Sequence, residues 1–272
     1  MCDVRCTVCP HQCLIPEGKH GFCRARGTRN GKNVSLNYGK LTSLAIDPIE
    51  KKPLARYMPG SYILSVGSFG CDLACPFCQN HTISMHGEED STVYDVSPQE
   101  LANIALSHPE SIGVAFTYNE PLIGWEYIRD TAKLLRPHGQ KIVLVTNGCV
   151  SEWVMEEVLP YVDAMNIDLK GAVNFYRELQ GDYDTVRANI ALAAKSCHVE
   201  VTSLIIPGKN DSDAWIEAES RWLASLDPSI VLHLTRYFPR YRYTIPATDK
   251  DTLVRMKTIA ERYLDTVLLG NV

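Results

Sequence analysis

An α/β protein built on a parallel sheet is predicted by three features of the 272-residue chain. Six short runs rich in β-branched and aromatic residues occur from residue 61 onward, each is followed by a stretch of helical periodicity, and 45% hydrophobic against 22% charged residues suffices for one large core. The predicted strands are 62–66, 113–118, 141–146, 164–169, 199–206 and 230–238. The first helix is announced by Ser97-Pro-Gln-Glu100, a capping box with proline at the first helical position, and continues through Leu101, Ile104 and Ala105. Helices over 122–135, 151–159, 172–195, 213–226 and 249–264 follow, with Ser151 and Asp249 placed to cap two of them. Alternation of this kind implies right-handed crossovers, wound as an open sheet or curled as a barrel, with ligands at the carboxyl ends of the strands.

The first 60 residues differ. A loop-rich stretch of cysteine, glycine and basic residues is followed by alternating segments at 34–38 and 41–46. Met58-Pro-Gly60 is the candidate boundary between a cysteine-rich extension (1–60) and a strand–helix domain (61–272). With 27 basic and 32 acidic residues the net charge is −5, so no polybasic surface points to nucleic acid. No apolar run approaches the ~20 residues of a membrane span. The start Met1-Cys-Asp-Val-Arg-Cys6 lacks the apolar core of a signal peptide, which makes a cytoplasmic location the expectation. Ten cysteines in such a chain suggest metal or redox chemistry rather than disulfides.

Eight of the ten fall within the first 78 residues, and Cys71-Asp-Leu-Ala-Cys75-Pro-Phe-Cys78 is the sharpest motif. Three thiols in one loop, directly after a strand, leave one iron of a [4Fe-4S] cluster without a protein ligand and open to a small molecule. The alternative is a zinc site closed by a cysteine of the extension. Further upstream, Cys6, Cys9, Cys13 and Cys23 suit a four-thiol zinc knuckle or an auxiliary cluster, with His11 and His20 as substitutes. A metal cross-link would supply the order that short loops cannot. Cys149 and Cys197 read as packed free thiols.

The triad spacing, with Phe77 just before its last cysteine, resembles the signature of the radical S-adenosylmethionine (SAM) superfamily. Glu50-Lys-Lys-Pro-Leu54, Cys78-Gln-Asn-His81, Thr117-Tyr-Asn-Glu-Pro121, Val145-Thr-Asn-Gly148, Asp168-Leu-Lys170, Ile205-Ile-Pro-Gly-Lys-Asn210 and Leu269-Gly-Asn271 extend the likeness along nearly the whole chain. They are similar to the AmmeMemoRadiSam system radical SAM enzymes, relatives of the pyruvate formate-lyase (glycyl radical enzyme) activating enzymes. The resemblance implies a partial (β/α)6 TIM-like barrel and a cluster on Cys71, Cys75 and Cys78 that chelates SAM. It also implies reductive cleavage to a 5′-deoxyadenosyl radical that takes hydrogen from a protein glycine or another substrate, at the expense of a low-potential donor such as flavodoxin or ferredoxin, under anaerobic conditions.

The same resemblance makes Phe77, Asn119, Glu120, Thr146, Asn147, Asp168, Lys170 and His233 the expected cofactor contacts; no protein acid or base is needed for the cleavage itself. In particular Glu120 is expected to meet the methionine ammonium, Lys170 its carboxylate, and Thr146 and Asn147 the ribose side. Read from the residues alone, Asn119 and Glu120 also suit a cap on the next helix, a role compatible with the first, and His233 equally suits a satisfied core histidine. Val145 stands where some activating enzymes carry a cation-binding aspartate, which puts that cation site in doubt. The cluster Arg236 to Tyr243 suits either an anionic or peptide substrate or ordinary stacking of arginine on tyrosine. Typical pyruvate formate-lyase activating enzymes lack the cysteine-rich extension, which weakens transfer of their particular substrate. A non-catalytic iron–sulfur carrier or sensor is the competing class, and it would want four cysteines per cluster.

Overall fold

Seven strands run parallel in the computed structural model, which describes residues 3–272. In chain order these are β7 (Tyr62–Gly67), β9 (Ser111–Phe116), β10 (Lys141–Thr146), β11 (Ala164–Asp168), β12 (His198–Ile205), β13 (Val231–Arg236) and β14 (Val267–Gly270). An eighth strand, β6 (Ser43–Pro48), pairs antiparallel with β7, so the sheet order is β14-β13-β12-β11-β10-β9-β7-β6. Three two-stranded ribbons complete the strands: β1 (Val4–Arg5) with β2 (Leu14–Ile15), β3 (Arg26–Arg29) with β4 (Lys32–Ser35), and β5 (Lys40–Leu41) with β8 (Tyr94–Asp95). The helices are α1 (His81–Ser84), α2 (Pro98–Leu106), α3 (Trp125–Leu135), α4 (Glu152–Val158), α5 (Val173–Glu178), α6 (Tyr183–Ala193), α7 (Asp213–Leu226) and α8 (Lys250–Ala260). Among the described residues no helix is long and apolar enough to cross a membrane.

All six predicted parallel strands are present, and β14 is a seventh. The capping box forms as written: Ser97 Oγ accepts from the Glu100 N–H, and the Glu100 carboxylate accepts from the Ser97 N–H at 2.7 Å. The helix expected over 172–195 is instead two, α5 and α6. Gln180 takes a left-handed φ of 57°, and a Cβ on Gly181 would stand 2.5 Å from Leu73 Cδ2. The break brings the Leu179 carbonyl under the Ala74 N–H at 2.9 Å, so the cysteine loop docks where the helix stops.

The sheet also crosses the expected boundary at residue 60, because β6 is hydrogen-bonded along its whole length to β7, from Ser43↔Gly67 to Pro48↔Tyr62. Beyond β6 the chain turns under the sheet, and Ile49 and Leu54 bury themselves against Ile63, Ala115, Val143 and Ala164, which point inward from four neighbouring strands. This apolar plug closes one end of the half-barrel. The larger core lies between the sheet and the helices. What remains open is the end where the parallel strands finish.

Candidate active site

The cysteine loop leaves the carboxyl end of β7 and is fastened by Asn119, just past β9. Asn119 Oδ1 accepts from the Ser68 N–H (3.0 Å), and its Nδ2 donates to the carbonyls of Phe69 and Gly70 (3.2 and 3.1 Å). Cys71, Cys75 and Cys78 then line one cavity of about 440 Å³, within the size range of small-molecule sites. Donors face their sulfurs. The Leu73 N–H donates to Cys71 Sγ (3.4 Å), Asn147 Nδ2 lies 3.6 Å from the same sulfur, and Ser84 Oγ is 3.1 Å from Cys78 Sγ.

Of the expected cofactor contacts, Phe77, Asn119, Glu120, Thr146, Asn147, Asp168 and Lys170 all line this cavity. His233 does not. It lies in the interior of the half-barrel, with Nε2 2.6 Å from Glu200 Oε2, so the reading as a satisfied core histidine describes its place. Thr235, two residues further along the same face of β13, reaches the cavity instead.

Glu120 is more constrained than its expected role. Its carboxylate accepts from the Leu122 N–H (2.9 Å), Thr146 Oγ1 (2.7 Å) and the Asn147 N–H (2.7 Å), capping the short turn at Pro121–Gly124 and tying β9 to β10. Burial, with Asp72 nearby, pushes its carboxyl up to about 8 against the pull of those hydrogen bonds. Asp72, between Cys71 and the extension, is raised by burial to about 6; its Oδ1 accepts from Asn147 Nδ2 (2.8 Å). Lys170 pairs with Asp168 at 2.8 Å. Burial alone would lower the lysine, but Asp168 and Cys75 outweigh it and hold the ammonium charged.

Sequence reasoning missed several cavity residues. Thr202, Leu204 and Thr235 occupy inward positions on β12 and β13, which alternation along those strands would have marked. Lys51, from the Glu50-Lys-Lys phrase, and Tyr118 reach the rim. Tyr118 has a left-handed φ of 75°, and its hydroxyl donates to Asp47 Oδ2 (2.8 Å), which also receives Lys52 Nζ (2.9 Å). The 237–243 segment covers the cysteine loop: the Arg242 N–H donates to the Pro76 carbonyl (2.8 Å), Tyr243 lies against Phe77, and Tyr241 stacks on His81. Arg242 lies over the Tyr241 ring, so the stacking alternative is present here. Cys149 is buried and accepts from the Asp182 N–H, away from the cavity. The nine described cysteines are free thiols, and among the described residues no group of three or more Cys, His, Asp or Glu side chains is placed to hold a metal ion.

The family model for the radical SAM superfamily matches residues 65–219, more than half of the chain and all of the cysteine loop. The chain belongs to the radical SAM superfamily. An uncharacterized protein of Methanocaldococcus jannaschii is 38% identical over 99% of this chain and 81% of its own length. The pyruvate formate-lyase 1-activating enzyme of Escherichia coli is 27% identical over 53% of this chain, which spans 61% of that enzyme. Among solved structures, Streptococcus suis SuiB bound to S-adenosylmethionine superposes with a TM-score of 0.59 at 13% identity, covering 76% of this chain and 51% of that one, which shows the fold alone. Radical SAM proteins use a [4Fe-4S] cluster and SAM. The residues here fit that pair: three thiols from one loop face a cavity that also carries a half-buried Lys–Asp pair and amide side chains, and donors aimed at sulfur suit thiolates.

Proposed function

We propose that this chain is a radical SAM oxidoreductase, similar to the glycyl radical enzyme activating enzymes. The observation behind this reading is that the three triad thiols line the cavity and, among the described residues, no fourth cysteine does. When bound, a [4Fe-4S] cluster and SAM would supply one-electron reductive cleavage and hydrogen abstraction from the substrate, the electron coming from a low-potential donor such as flavodoxin or ferredoxin. The chain's own residues bind, orient and exclude water.

Cys71, Cys75 and Cys78 would hold the cluster. Lys170, charged and paired with Asp168, is the cation available to a carboxylate, and Asp168 the anion available to an ammonium. Glu120 is a positioning residue: by accepting from Thr146 and Asn147 it fixes two cavity-lining residues and leaves the Asn147 amide for Asp72 and Cys71. Phe77 packs between Phe175 and Tyr243 at the cavity wall and keeps water from that side. A protein glycine is the first substrate class to test, on the likeness to the activating enzymes. Alternatively, on the AmmeMemoRadiSam resemblance, the substrate is another protein or a small molecule.

Anaerobic incubation with SAM and a strong reductant is expected to yield methionine and 5′-deoxyadenosine, and replacement of any one triad cysteine by alanine is expected to abolish both while the circular dichroism spectrum is kept. Cleavage retained by the reconstituted Cys75→Ala chain would refute the reading. Deuterated candidate substrates, followed by label in 5′-deoxyadenosine, identify the hydrogen donor.

A further inference from the structure

The extension does not stand apart from the cysteine loop. It is seated on the barrel by the Ser151 N–H donating to the Val8 carbonyl (2.9 Å) and by Trp153 Nε1 donating to the Thr7 carbonyl (2.9 Å). From there it touches the triad loop at two points: the Cys71 N–H donates to the Cys23 carbonyl (3.2 Å), and His11 Nε2 lies 2.8 Å from the Asp72 carbonyl. The approach is close enough that a Cβ on Gly70, whose φ is 84°, would stand 2.4 Å from the Cys23 oxygen. One carbonyl of the four-cysteine group thus bonds the amide of the first triad cysteine.

The four thiols of the extension share a second property with the triad. The amides of Val8, His11 and Ala25 lie near the sulfurs of Cys6, Cys9 and Cys23, in each case two residues on, the spacing at which the Leu73 N–H donates to Cys71 Sγ. The Phe22 N–H donates to Cys13 Sγ (3.4 Å). Cys6 and Cys13 face each other across the β1–β2 ribbon, the Cys6 N–H donating to the Cys13 carbonyl at 2.8 Å. Amide donors of this kind stabilise the charge that a thiolate carries when it ligates a metal.

We propose that Cys6, Cys9, Cys13 and Cys23 ligate a thiophilic metal centre, and that its loading holds the triad loop in place through the Cys23 carbonyl and His11. The shared chemistry is tetrathiolate ligation, which serves a zinc ion and an iron–sulfur cluster alike. Metal binding draws the four sulfurs onto one centre and so fixes the backbone at Cys23. The coupling rests on the triad loop being the cofactor loop; the metal site itself does not.

The test uses the full chain with Cys71, Cys75 and Cys78 all replaced by alanine, purified without oxygen. Elemental analysis and X-ray absorption at the zinc and iron edges are expected to find a sulfur-ligated metal, close to about one per chain for zinc or as iron with labile sulfide for a cluster. Adding Cys9→Ser is expected to remove it. A triad-substituted chain that holds no sulfur-bound metal after supply of zinc and after reconstitution with iron and sulfide overturns the site. Hydrogen exchange at the amide of position 71 then reads the coupling. Stripping the metal with a chelator is expected to speed exchange by up to about tenfold, the worth of one hydrogen bond, and returning the metal is expected to reverse it. Equal exchange in the loaded and stripped chain overturns the coupling. Adding Gly70→Ala should keep the metal but abolish the response of position 71, which a general loosening of the fold would not do. Failure of the SAM assay with the native chain would leave each of these readouts unchanged, so the two readings fail separately.

Discussion

Glu200 is fully buried near the middle of β12, and nothing in its sequence neighbourhood marks it. Its oxygens accept from the N–H groups of Ala55 (2.9 Å) and Arg56 (2.7 Å), and it lies at hydrogen-bonding distance from His198 and His233. One carboxylate therefore ties the plug segment to the strands above it. Burial pushes this carboxyl up, but the hydrogen bonds together bring it down to about 2 from the ordinary 4.5. A depressed value stabilises the fold above about 4.5, and that stabilisation is lost as pH falls through about 2. Glu200→Gln is expected to cost ~1–3 kcal/mol at neutral pH, because a carboxamide has one acceptor oxygen where the carboxylate has two. In urea melts across a pH series the gap between the two chains should narrow between about 4.5 and about 2; a constant gap would show that the carboxylate's charge does not stabilise the plug. The contrast with Glu120 is instructive. Glu120 was legible because it follows a strand in a phrase shared with known enzymes, yet its partners, Thr146 and Asn147, lie 26 and 27 residues away and only the fold reveals them. His233 was legible as a residue but not as a position, since its inward direction is alternation while its partner, Glu200, comes from the neighbouring strand.

At the scale of elements, the parallel strands read directly from β-branched runs, and the starts of α2 and α8 from their caps Ser97 and Asp249, whereas Ser151 precedes α4 without a side-chain capping bond. What did not read was where one element yields to the needs of another. The split of the 172–195 helix is set by Leu73 and Ala74, a hundred residues earlier, which take the space and the carbonyl at the break. Gly113 is a similar case inside a strand. Lys141 is its register partner in β10, and a Cβ at Gly113 would stand 1.9 Å from the Lys141 oxygen, so β9 and β10 can pair there only if this residue is glycine. Gly113→Ala is expected to destabilise the chain by about 3 kcal/mol or more, near the upper end for a single substitution. Calorimetry checks this, and a melting temperature within a degree or so of the native one would mean the pairing tolerates the methyl group. β14 escaped the strand pattern because Val267–Gly270 is only four residues long and ends in glycine.

For the whole molecule, the compositional change near residue 60 marks a real change of style but not a line along which the sheet divides. β6 supplies the outer hydrogen-bonding partner of β7, and Ile49 and Leu54 fill the closed end of the half-barrel. A chain beginning at Ser61 is therefore expected to lose its cooperative thermal transition, since it would expose both an unpaired strand edge and the residues that the plug covers. A sharp two-state melt from that shorter chain would instead establish 61–272 as an independent folding unit. The chemistry of the site was legible from one loop of eight residues. The mutual seating of extension, loop and barrel was not, because it is made of backbone carbonyls and amides that any sequence carries. One consequence lies in the two ends of the sheet order, β14 and β6, which do not pair with each other. The wall around the cavity is a gutter rather than a ring, with Asn271 on one bank and Lys51 on the other. A guest between the banks therefore meets two unlike sides, an amide on one and an ammonium on the other.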